Sequence, residues 1–131
     1  MSAHNIGAEL FQAESVITDP GDAGTINFDK SMATCNLVSA AAETRTMADP
    51  TKAGAIAVLH HYTDGGDITV TFSTAFTEDG ATTFVFSEVG QWLAVVSIRV
   101  SATAFAWRKV SDYGMANLSL ADTAVLDDLS T

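Results

Sequence analysis

Few residues in this chain are of a type that does chemistry, and their spacing limits what they can do. Three histidines are present, and only His60 and His61 are neighbours. Adjacent residues on a strand face opposite ways, so these two rings do not converge on one ion. No His-x-His or Cys-x-x-Cys spacing accompanies them. Cys35 is the sole cysteine, which rules out an intrachain disulfide. Within the run Cys35-Asn36-Leu37-Val38 it is expected to be a small, inert core side chain. Nucleophilic catalysis needs a nucleophile held beside an oriented base, and the chain has no Gly-x-Ser-x-Gly elbow or other triad element.

Two acidic turns, Asp64-Gly65-Gly66-Asp67 and Glu78-Asp79-Gly80, offer oxygen ligands to a hard cation, but neither has the spacing of a twelve-residue calcium loop. They are expected to be plain turns. The glycines form no phosphate-binding run. Trp92 and Trp107, with Phe105, would make either an aromatic platform for a sugar ring or part of the core. Their place in apolar strands favours the core. No catalytic residue, cofactor or metal is therefore expected.

The elements that hold these residues follow from composition and pattern. At 131 residues and 13.7 kDa, 47% of it hydrophobic, the chain has the size and apolar content of one domain. Its net charge of −10 argues against nucleic acid as a partner, since the phosphate backbone is bound through clustered Lys and Arg. Anionic membrane surfaces are disfavoured for the same reason. The longest apolar runs, Ala55 to Leu59 and Leu93 to Val96, are far below the roughly 20 residues of a spanning helix. Met1 to Glu9 lacks the basic and apolar regions of a signal peptide, and a soluble cytoplasmic product is expected.

From Thr25 to Val110 the pattern is that of short strands. Ile68-Thr69-Val70-Thr71-Phe72 alternates apolar and hydroxyl side chains, as a half-buried antiparallel strand does. Thr83 to Phe86 repeats it. The two acidic turns, read as hairpin turns, make two consecutive hairpins. Trp92 to Val100 is apolar almost throughout, as befits a strand covered on both sides, and Ala104 to Val110 follows as its partner. Thr25 to Phe28, Thr34 to Val38 and Ala55 to Tyr62 bring the total to about seven strands, giving an all-β fold, an antiparallel β-sandwich or jelly-roll-like barrel. The expected organisation is an N-terminal arm over 1–24, a β-sandwich domain over 25–114 and a C-terminal tail over 115–131.

Four segments carry a resemblance: Glu43-Thr44-Arg45-Thr46; Gly66-Asp67-Ile68-Thr69-Val70-Thr71; Asp79 to Phe86; and Gly90-Gln91-Trp92-Leu93 leading through Val96-Ser97-Ile98 to Trp107-Arg108-Lys109-Val110. They resemble small β-rich virion proteins of tailed bacteriophages, most of all the head decoration, or cement, proteins. The resemblance implies a non-enzymatic structural protein, usually trimeric, that sits on the outer capsid surface and bridges subunits of the major capsid protein. A tail- or fibre-associated module that binds a receptor carbohydrate is the alternative. Ile6, Leu10 and Phe11 in the arm are the expected apolar anchors. Arg45 is their expected ionic partner, because cations are scarce here and Arg suits buried pairing.

Overall fold

Alternation of apolar with hydroxyl side chains forces strands here, and turns rich in Gly, Asp and Pro cut them short. The computed structural model describes residues 16–113. Among them are nine strands and no helix: β1 (Val16–Ile17), β2 (Gly24–Ile26), β3 (Met32–Val38), β4 (Glu43–Met47), β5 (Ile56–Thr63), β6 (Ile68–Phe72), β7 (Thr83–Phe86), β8 (Trp92–Arg99) and β9 (Phe105–Tyr113). They form a five-stranded sheet in the order β1-β3-β5-β8-β9 and a four-stranded sheet in the order β2-β4-β6-β7. The inward residues of both sheets meet in one core. Leu37, Leu59, Leu93 and Val95 come from the first sheet, and Ile26, Met47, Ile68, Val70 and Phe86 from the second. Each such Leu, Ile or Phe contributes about 1.5–3 kcal/mol by leaving water.

The all-β class stands as expected, but the sheets are mixed and open. β1-β3-β5 and β2-β4-β6 are parallel stacks. Only β6-β7, β5-β8 and β8-β9 pair antiparallel. The chain winds from the five-stranded sheet to the four-stranded sheet and back, laying each new strand beside the one a full turn earlier. A parallel pair needs a long crossover; here each crossover contains a strand of the opposite sheet. The hairpin expected around Glu78-Asp79-Gly80 is present, with Gly80 at φ 91°. The one expected at Asp64-Gly65-Gly66-Asp67 is absent, because β5 and β6 belong to different sheets.

Those two glycines serve the winding. The corner 64–67 lies directly on the preceding corner: a Cβ on Gly65 would come 2.3 Å from the Ser39 carbonyl oxygen, and one on Gly66 would come 2.3 Å from the Ala41 carbonyl carbon. The Ser39 hydroxyl donates to the Gly66 carbonyl at 2.6 Å and accepts the Gly65 N–H at 3.1 Å. One corner further back, Ala23 N–H donates to the Thr44 carbonyl and Thr44 N–H to the Asp22 carboxylate. Val16, Ile17 and Gly24, which precede the boundary expected at residue 25, thus belong to strands of the two sheets.

Candidate interaction surface

The two sheets present different outer faces. On the four-stranded sheet, register aligns Thr25, Thr46, Thr71 and Thr83 in one row across all four strands, with Thr44, Thr69 and Val85 in the next. Strict alternation of buried apolar and outward hydroxyl residues is the pattern of a sheet with one face in water.

The five-stranded sheet does not follow that pattern. One outward row runs Met32, Ile56, Val96, Arg108, and the next runs Val16, Thr34, Val58, Ala94, Ser111. A third runs Asn36, His60, Trp92, Tyr113. Val38, Tyr62 and Ile98 stand at its ends. Met32 is 58% exposed, Tyr62 59% and Tyr113 42%, while Ile56, Val58, Trp92 and Val96 are half-buried by their neighbours. None of the outward residues of β3, β5 and β8 is charged. His60 Nδ1–H donates to Asn36 Oδ1 at 3.1 Å, and the ring meets Tyr62 edge-on at 6.3 Å.

The tryptophans divide between the two roles that sequence left open. Trp107 is buried, its Nε1–H donating to the Ala48 carbonyl at 2.8 Å and its ring meeting Phe28 edge-on. Trp92 stands on the outer face. The histidines divide too. His60 is outward, whereas His61 is wholly buried against Phe86 and donates from Nδ1 to the Glu88 carbonyl at 2.9 Å. Among the described residues no group of three or more His, Cys, Asp or Glu side chains converges on a point. Burial, and then the nearby Asp19 charge, push the Cys35 thiol up to about 12, so it is protonated and inert at neutral pH.

Arg45 is spent within its own chain. It occupies an inward position on β4 with no side-chain exposure. Its Nε and Nη2 donate to the two oxygens of Asp19 at 2.7 and 3.0 Å, and Nη2 also reaches Glu43 Oε1 and the Val38 carbonyl at 3.0 Å. Nη1 donates to the Thr44 carbonyl. Asp19 additionally accepts the N–H groups of Val38 and Gly21. Burial opposes ionisation of Asp19, but Arg45 and these two N–H groups outweigh it and hold its carboxyl below the ordinary range. Ile6, Leu10 and Phe11 lie outside the described residues.

A groove of about 860 Å³ opens between the edges of β7 and β9, floored by Phe76 and Phe84 and rimmed by Thr77, Arg108, Lys109 and Asp112. Its cations are already engaged: Lys109 pairs with Asp112 at 3.1 Å, and Arg108 donates to the Ala75 and Trp107 carbonyls. The outer face of the five-stranded sheet, uncharged across β3, β5 and β8, remains the principal candidate surface. The sequence signal for it was the run Trp92 to Val96, apolar on both faces. Comparison with known protein families and with curated proteins returns no match to this chain.

Proposed function

We propose that this chain is a non-enzymatic structural protein of a tailed-phage virion: a decoration protein that stabilises the head by bridging major capsid subunits, acting as a homotrimer on the outer capsid surface. The observation that supports this reading is the outer face of the five-stranded sheet, which carries no charge on β3, β5 and β8, on a chain of net charge −10. Aromatic and Met side chains without charge are the composition of an interface centre, and a protein whose work is adhesion requires such a surface. The two sheets, packed as a sandwich, form the rigid body that carries it. Acidic corners suit the outside of a particle and not its DNA-filled interior.

The direct test is mass spectrometry of density-banded particles of a phage that carries this gene. The expected result is the chain in many copies per head, and heads that rupture more readily when the gene is deleted. Its absence from banded particles refutes the assignment. One observation favours the second reading, a fibre- or tail-associated module with carbohydrate binding: Trp92, Tyr113 and Tyr62 stand outward together, and sugar rings stack on such side chains. Under that reading Trp92→Ala abolishes retention on host surface glycans, and particles carry the chain on their tails.

A further inference from the structure

We infer that the outer face of the five-stranded sheet is where copies of this chain join one another, the uncharged outward residues of β3, β5 and β8 meeting across a common symmetry axis. This rests on the oligomeric reading above and names the surface that makes the oligomer.

Three observations lead there. The first is pattern. β5 opens Ile56-Ala57-Val58-Leu59 and β8 opens Trp92-Leu93-Ala94-Val95-Val96, apolar on successive residues and therefore on both faces. Such runs mark strands buried on both sides. Within the described chain only the inner side is covered. β6, in the other sheet, keeps the alternation of a strand that needs one cover only.

The second is charge. Among the described residues the acids lie in corners, loops and strand ends, as at Asp22, Asp64, Asp67, Glu78 and Glu88. Two copies of a chain with net charge −10 repel through any approach that brings these acids together. The outward rows of β3, β5 and β8 avoid that repulsion, and an apolar patch without charge is complementary to itself, as an isologous two-fold contact requires. Arg108, in the row of Val96 at the β9 edge, is already held by the Ala75 and Trp107 carbonyls.

The third is area. Strands about 4.8 Å apart, with outward residues about 6.8 Å apart along each, give the face of order 500 Å². A face-to-face pair then buries about 1,000 Å² in total, the lower bound for a specific interface. Three copies sharing the same face about an axis would spread about 1,500 Å² over three contacts, about 500 Å² each, so the face-to-face pair is the association that reaches the bound.

The test uses the full chain. Val58→Glu puts a carboxylate in the middle row of the face; Thr46→Glu makes the same charge change on the threonine face. Light scattering after size exclusion is expected to give a whole-number multiple, two or more, of the 13.7 kDa chain mass for the wild type and for Thr46→Glu. Val58→Glu is expected to be a folded monomer by circular dichroism, with its dissociation constant raised at least about a hundredfold by a buried unpaired charge. A monomeric wild type, or an assembled Val58→Glu, overturns the inference. Should Val58→Glu fail to fold, Ala94→Cys decides with a short bis-maleimide, since Cys35 is buried. Covalent multimers are expected. A thiol that is protected yet never cross-linked places a segment of the same chain on the face, and a freely reactive thiol leaves it bare; either result overturns the inference. A monomer found in banded particles removes this surface and leaves the virion reading intact, whereas an assembled chain absent from particles does the reverse.

Discussion

Replacing Asp19 with Ala removes the carboxylate that holds the first corner to the start of the four-stranded sheet. Asp19 accepts four hydrogen bonds: from Arg45 Nε and Nη2 at 2.7 and 3.0 Å, from Val38 N–H at 2.9 Å and from Gly21 N–H at 3.1 Å. Arg45 is fully buried and keeps its charge, so the variant leaves a guanidinium with Glu43 and two carbonyls as its only partners. Removing one member of a buried ion pair costs about 3–5 kcal/mol. Asp19 is itself 13% exposed and Glu43 remains, so the lower end, about 3 kcal/mol, is the expected loss. For a domain of this size that lowers Tm by roughly 12 °C. Guanidinium unfolding followed by far-ultraviolet circular dichroism should show the midpoint fall with an unchanged slope. The double variant Asp19→Leu/Arg45→Met should recover to within about 1 kcal/mol of wild type, because apolar replacement of a buried pair is often neutral or better. A loss under about 1 kcal/mol for Asp19→Ala would show that the network is incidental to the fold.

Acid should act through the same network. Asp19 is held below its ordinary range as described above, and Glu43 likewise, chiefly by the Ala40 N–H, with burial opposing and Arg45 assisting. A carboxyl whose folded pKa is depressed contributes stability above its unfolded value and loses it as pH falls through the folded value. Unfolding midpoints should therefore be flat from neutral pH to about 5, fall below about 4, and fall less steeply in Asp19→Ala. Gly66→Ala should cost about 2–3 kcal/mol or prevent folding, since its Cβ would meet backbone of the stacked corner; a thermal melt within about 1 °C of wild type would show that the corners can separate freely. Ala23 holds φ at 63° on an exposed corner, so Ala23→Gly should stabilise by about 0.5–1 kcal/mol, read as a raised melting midpoint.

What was legible in the sequence and what was not divides along physical lines. Seven strands were readable because their inward residues alternate visibly. β4 was not, because Arg45 occupies an inward position where the pattern calls for an apolar residue, and its compensation by Asp19 comes from 26 positions away. β1 has only two residues and owes its place to pairing with β3. The parallel winding was hidden for a different reason. Glycine at a hairpin and glycine under a stacked corner are the same letter, and Gly65 and Gly66 are needed for close approach, not for positive φ. The candidate surface was half legible: the doubly apolar run at Trp92 to Val96 was read as a strand covered on both sides, but the same run cannot say whether the cover comes from its own fold.

The winding explains why the two outer faces differ so sharply. In a parallel stack every turn of chain sets its outward residues in register with those of the turn before, so a choice made once is repeated down the face. Thr44 and Thr46 on β4 meet Thr69 and Thr71 on β6 for this reason, and Thr34 on β3 meets Val58 on β5. The antiparallel strands then extend each face: Thr83 continues the threonine row and Ala94 the row of Val58, while Val85 on β7 and Arg108 on β9 depart from their rows. A chain that needed only to be soluble would place hydroxyls or charges on both faces. This one sets threonines across the four-stranded sheet, whereas on the five-stranded sheet apolar and aromatic side chains predominate and β3, β5 and β8 carry no outward charge; an exposed face of order 500 Å² is at the upper end of what monomers carry and marks a surface that works by contact.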